Sequence, residues 1–218
     1  MDFISYFLFA ADDPKINEVT KKDFTSKESF YFFDTENRNN MIGLMVTGTA
    51  MIEIKTPYGE WTINNILKTG SLFGVEEIST NIKTRRIIEY KATGLEHGSY
   101  LEIDREYLLL NMAQEPIQRY IIDRLIDILL DINCLHQYTK TSMRIKFIKE
   151  LADIAIDLNL EIKDFTITFP TFINITFLAK YLNASRASIL SELKNLQKVG
   201  VLVSKKPIMI DLRKSTFI

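Results

Sequence analysis

Residues 174–202, NITFLAKYLNASRASILSELKNLQKVGVL, leave few arrangements open. Ile175, Leu178, Ala179 and Leu182 recur at helical spacing and predict a short amphipathic helix. Asn183-Ala184-Ser185 follows, a turn-forming triplet that ends in a residue suited to capping a helix N-terminus. A second helix then carries Ile189, Leu193, Leu196 and Val199 on one face and stops at Gly200, the usual residue just past a helix end. Two helices joined by so short a turn form a helix-turn-helix, whose second helix can lie in the major groove of DNA. Beyond Gly200, the apolar runs Val201–Val203 and Ile208–Ile210 flank Ser204-Lys205-Lys206-Pro207 and read as a β-hairpin, or wing, with lysines near its tip.

An αα-hairpin closing a helical domain would show the same periodicity, so charge has to decide. From Pro170 to the C-terminus there are eight Lys or Arg against two acids, Glu192 and Asp211, a local balance of +6 in a chain whose total is −1. That asymmetry is expected of a segment that meets phosphate.

The set Leu178-Ala179, Leu182, Ser185-Arg186, Ile189, Leu193, Leu196, Gly200 and Leu202 resembles the winged helix-turn-helix of the Crp/Fnr regulators, the cyclic-AMP receptor protein and its relatives. The recognition helix of that family typically begins Ser-Arg-Glu-Thr-Val, and here it reads Ser185-Arg186-Ala187-Ser188-Ile189. The resemblance implies that Arg186 reads guanine, its donor fork suiting the O6/N7 edge. It also places Ser185, Ser188 and Ile189 on the contacting turn, and gives Lys205 and Lys206 of the wing to the DNA backbone. Ala187 stands where the family commonly has glutamate, and Ser191 where a later arginine is frequent. The target sequence of better-known members therefore does not carry over.

From Phe24 to about Ile103 the chain is strand-like. Phe30–Phe33, Met41–Val46, Ala50–Ile54, Trp61–Ile63 and Leu72–Gly74 are short runs separated by turn signals every 8–12 residues or so, as in a sandwich or barrel. The spacing of Gly43, Gly48, Gly59, Gly70 and Gly74 resembles the β-roll of cyclic-nucleotide-binding domains, a cupin-like double-stranded β-helix. The fold class implied is α+β: an N-terminal effector roll over residues 1–110, a long dimerisation helix over 111–138, and a winged helix-turn-helix over 139–218. Phe3–Phe9 is apolar but lacks a basic leader and is too short to span a bilayer, so it reads as part of the fold.

The family's phosphate cassette resembles Gly-Glu-Leu-Phe-Gly followed, after a loop, by Arg-Ser or Arg-Thr. Amides and the arginine hold the cyclic phosphate, and the carboxylate takes the ribose hydroxyl. Here the cassette opens Gly70-Ser71-Leu72-Phe73-Gly74, without the carboxylate. The later stretch keeps Arg85 and Arg86 but has Ile87 at the hydroxyl position. Gly70, Ser71, Leu72, Arg85 and Arg86 would line an effector pocket; cyclic nucleotides are not the expected occupant, and a remodelled pocket would sense a different small molecule. Glu76 or Glu77 could replace the missing acid only in a rebuilt loop.

No cofactor is expected. One cysteine, Cys134, is too few for an iron–sulfur centre or an intramolecular disulfide, and it makes the cytoplasm the default address. His97 and His136 alone could ligate haem, and each reads as a surface or packing residue. No Ser-His-Asp, metal-ligand or P-loop pattern points to an enzyme.

Ile121, Leu125, Ile128, Ile132 and Leu135 fall 4, 3, 4 and 3 apart behind Pro116, a seam that buries one helix against another. Ile122, Ile126 and Leu129 form a second stripe able to pack the roll. Together with a DNA reader, the seam implies a homodimer. Gln137–Thr141 reads as a hinge, and Met143, Phe147, Ile148, Leu151, Ile154 and Ala155 as the first helix beyond it. The partners implied are double-stranded DNA, a second copy of the chain, RNA polymerase and an unidentified effector, with no membrane. The competing class is a protein-interaction or structural module whose C-terminal hairpin touches another protein.

Overall fold

The computed structural model describes residues 2–36, 38–78, 89–138 and 143–214, with the backbone alone over 127–138. By contacts the chain divides into two compact units, residues 1–58 with 67–139 and residues 59–66 with 140–218.

Asp2 caps the first helix, α1 (Phe3–Asp12), its carboxylate accepting from the Ser5 amide at 2.9 Å. Phe3, Phe7 and Ala10 share its buried face. Eight strands follow: β1 (Val19–Phe24), β2 (Ser29–Asp34), β3 (Met41–Thr47), β4 (Ala50–Lys55), β5 (Trp61–Leu67), β6 (Leu72–Phe73), β7 (Glu89–Gly94) and β8 (Gly98–Asp104). They form two four-stranded sheets, ordered β1-β8-β3-β6 and β2-β7-β4-β5, with antiparallel pairings throughout the first. Because the chain crosses from sheet to sheet at nearly every connection, the two close on each other as a roll. The sequence did not anticipate β1: Lys21, Lys22 and Asp23 mask it, since only its ends, Val19 and Phe24, are buried.

Two cores result. Between the sheets lie Phe24, Tyr31, Phe33, Met45, Ala50, Ile52, Leu67, Phe73, Tyr90, Ala92 and Tyr100. On the outer face of the first sheet, Val19, Ile42, Leu44, Leu101 and Ile103 pack with Phe3 and Phe7 of α1. Strand β8 serves both, because alternate side chains point to opposite faces: Tyr100 faces inward, Leu101 and Ile103 outward.

The outer core also takes Leu108 of α2 (Arg105–Asn111), a helix capped by Asp104. It is completed by Ile117 and Ile121 of α3 (Glu115–Tyr138), which has Pro116 in its first turn. The Tyr120 ring stacks on Phe3 at 4.1 Å. Here the structure corrects the assignment of stripes on α3. Ile121, placed on the intermolecular seam, is only 2% exposed within its own unit, whereas Ile122 and Ile126, expected to pack the roll, are 46% and 48% exposed. A helix apolar on adjacent faces gives period but not direction, and packing against α1 fixes which face turns inward.

In the second unit α4 (Met143–Asp157) buries Phe147, Leu151, Ile154 and Ala155. Of the expected hinge Gln137–Thr141, residues 139–141 lie outside the described residues, and Gln137 and Tyr138 continue α3. A hairpin of β9 (Ile162–Lys163) and β10 (Thr166–Thr168) comes next, then α5 (Ile175–Tyr181), α6 (Arg186–Lys198), β11 (Leu202–Lys205) and β12 (Ile208–Asp211). The sheet order is β11-β12-β10-β9. Asp164 and Phe165 form the turn between β9 and β10, both at positive φ as a type I′ hairpin turn requires. Among the described residues no helix is long and apolar enough to cross a membrane.

Candidate nucleic-acid interface

Asn174 caps α5, its side-chain oxygen accepting from the Thr176 and Phe177 amides at 2.9 and 3.1 Å. Asn183 turns the chain in the left-handed region (φ 48), where asparagine is tolerated. Ser185 then caps α6, its Oγ accepting from the Ser188 amide at 3.0 Å. Ile189, Leu193 and Leu196 are buried with Phe177, Leu178, Ala179 and Leu182, which fixes α6 upon α5. At the far end Gly200 is left-handed (φ +75); its amide donates to Gln197 O and that of Val201 to Leu196 O, the paired bonds of a Schellman cap. Val199, placed on the buried face by periodicity, is the C-cap and is 51% exposed.

Outside the buried stripe, α6 presents Arg186, Ala187, Ser191, Lys194 and Lys198 to solvent. Its first turn contains no acid, so no carboxylate competes for the free amides and positive dipole of the N-terminus. Of the residues assigned to DNA, Ser185, Arg186 and Ser188 are exposed on that turn, the two serine hydroxyls 2.8 Å apart. Ile189 is 0% exposed and belongs to the core of its own unit, not to the surface. Lys205 and Lys206 lie at the turn between β11 and β12, Lys206 exposed and Lys205 half-buried.

Of the seam residues on α3, Leu125 is 44% exposed and Ile121 is buried. The side chains of Ile128, Ile132 and Leu135 lie outside the described residues, as do those of Cys134 and His136. His97 is exposed. No group of three metal-ligating side chains occurs among the described residues.

In the roll, the cassette is held by its own neighbours. Gly70 O accepts from the phenol of Tyr120 on α3. Ser71 Oγ accepts from the Lys68 amide at 3.0 Å, closing the turn before β6, and Leu72 pairs with Leu44 of β3. The Gly74 amide donates to Tyr90 Oη at 2.9 Å, and that phenol donates to Glu76 at 2.8 Å. A Cβ on Gly74, which also has positive φ, would lie 2.1 Å from Tyr31 Oη. Glu77, wholly buried, meets Arg38 Nε at 2.7 Å and accepts from the Asn39 amide at 3.2 Å. Burial first, and then the nearby Glu77 and Glu76 charges, push the Tyr31 hydroxyl well above the usual phenol range; burial and Glu76 do the same for Tyr90. Both phenols therefore stay protonated as donors. Sequence reasoning missed Arg38 and Tyr90, because they come from a polar turn and a distant strand that only the roll brings to the cassette. Arg85 and Arg86 lie outside the described residues.

No protein-family model and no curated protein matches the sequence. Solved structures do match in fold. A cyclic nucleotide-binding domain containing protein from Listeria monocytogenes EGD-e superposes with a TM-score of 0.75 at 21% identity, over 96% of this chain and 97% of that one. The c-di-GMP responsive global regulator CLP of Xanthomonas campestris gives 0.74 at 15%, over 94% and 98%. A CRP-family transcriptional regulator from Thermus thermophilus gives 0.67 at 15%, over 88% and 93%. At these identities the likeness establishes the fold, which is that of the Crp/Fnr regulators.

Proposed function

We propose that this chain, which has the Crp/Fnr fold, is a sequence-specific DNA-binding transcription regulator, working without catalysis as a homodimer on a palindromic site. The carrying observation is the exposed face of α6, a capped, acid-free helix start with Arg186 in its first turn and Lys194 and Lys198 beyond. Arg186 takes a guanine edge, and Lys205 and Lys206 take backbone phosphate from the wing. The second copy docks through the face of α3 that carries Ile122, Leu125 and Ile126, which the single chain leaves exposed. In this division of labour residues 1–110 form the effector domain, 111–138 the dimer helix and 139–218 the reader, with RNA polymerase the downstream partner in the cytoplasm.

Cyclic nucleotides are not its effector. The core between the sheets is rich in aromatic side chains, the Gly74 amide of the cassette is taken by Tyr90, and that phenol is in turn held by Glu76. The test is duplex binding by the full chain across a salt series, with and without millimolar cyclic AMP or GMP. Affinity should fall with a log–log slope of about −0.9 per phosphate neutralised, and neither nucleotide should change it. A flat salt response would favour a protein partner for the hairpin, and a nucleotide-dependent gain would mean that the cassette is functional.

A further inference from the structure

The reading face of α6 has an apolar centre. At about 100° per residue, Arg186 and Leu190 stand on one ridge, Ala187 and Ser191 on the next, and the four form a contiguous patch over the first two turns. Leu190 is 38% exposed, turned away from the core that takes its neighbours Ile189 and Leu193 at 0%. Ala187 and Ser191 beside it are exposed as well. A leucine left partly open next to an alanine, on a helix whose other exposed positions are Arg, Ser, Lys and Gln, offers apolar surface that its own unit does not cover. In the major groove the one apolar group on a base edge is the C5-methyl of thymine. Lys194 and Lys198 farther along α6 and Lys205 and Lys206 on the wing supply the charge that holds the helix there.

We infer that Ala187 and Leu190 are specificity-determining residues that read thymine methyl groups next to the guanine taken by Arg186. This rests on the DNA-binding reading above. The small side chain of Ala187 lets the helix backbone approach the bases, and Leu190 covers the methyl. Without a carboxylate at position 187, cytosine has no acceptor for its N4 amino group there, so the preference at that base pair is hydrophobic instead of polar.

The probe is the duplex selected by the full-length protein from a random-sequence library, resynthesised with deoxyuridine in place of thymine, one position of each half-site at a time. Removing the methyl that Leu190 covers should weaken wild-type binding about fourfold per half-site, the worth of one buried methyl group. Leu190→Ala should bind the thymine duplex about as weakly as wild type binds the uracil duplex, and should no longer tell them apart. Ala187→Glu should shift the preference at its position from thymine toward cytosine. Thermal melting of each variant separates loss of reading from loss of fold; Leu190→Gln, which keeps the length of the side chain, repeats the measurement if the alanine variant melts early.

If uracil substitution leaves wild-type binding unchanged, or if Leu190→Ala still distinguishes thymine from uracil, the inference is wrong while DNA recognition stands. If no sequence is enriched from the library, the DNA-binding reading itself falls, and this one with it.

Discussion

On the proposed reading Arg186 meets a base edge and the wing lysines meet backbone phosphate, so their loss should look different. Arg186→Ala should cost about 1–3 kcal/mol per half-site on the selected sequence and relax discrimination at one base. Changing Lys205 and Lys206 to Ala should weaken selected and scrambled duplexes alike and lower the salt slope by about one unit per lost phosphate contact. Competition binding separates the two; equal weakening of every sequence by Arg186→Ala would remove its base-reading role. In the roll, Arg38 faces the wholly buried carboxylate of Glu77 at 2.7 Å. Arg38→Met strands that charge and should destabilise the chain by about 3–5 kcal/mol, the usual cost of breaking a buried pair. Adding Glu77→Leu should restore much of the loss, because the penalty belongs to the orphaned charge. Denaturant midpoints of the single and double variants check this, and no recovery in the double variant would mean that Glu77 serves the fold through its amide contact instead.

Among the elements, α5, α6 and the wing were the most legible, because each boundary has a local chemical cause. Asn174 and Ser185 cap, Asn183 and Gly200 adopt left-handed conformations, and two apolar runs flank a lysine turn. Strands β2 to β6 were legible as strands, but their partners were not. Which strand lies next to which depends on sheet crossings that leave no mark in the sequence, and the surroundings of the cassette depend on those crossings. Helix α3 shows the same limit, since periodicity found its apolar residues but gave Ile121 to the wrong neighbour. The corrected assignment separates two substitutions that sequence alone would treat as equivalent. Leu125→Asp, 44% exposed in the single chain, should leave a folded protein that sediments as a monomer. Ile121→Asp, 2% exposed, should instead unfold the roll, at a cost of about 4 kcal/mol or more. A Leu125→Asp protein that remained fully dimeric would move the interface off this face.

At the scale of the molecule, the second unit buries its own apolar residues, and the roll's two cores share strand β8, hydrogen-bonded to β1 on one side and β3 on the other. Each core covers one face of that strand, so β8 is fully released only when both open. The backbone amides of Leu101 and Ile103 should therefore fall in the slowest class of native-state hydrogen exchange within that unit, released only by its global unfolding. Faster exchange there than in α1 would show that the outer layer outlives the sheet. A shared wall also means that free energy added on one side is felt on the other. Any small molecule that does enter the space between the sheets should slow proton exchange in α1 and α3, helices it never touches, and such distant protection would be the first sign of an effector.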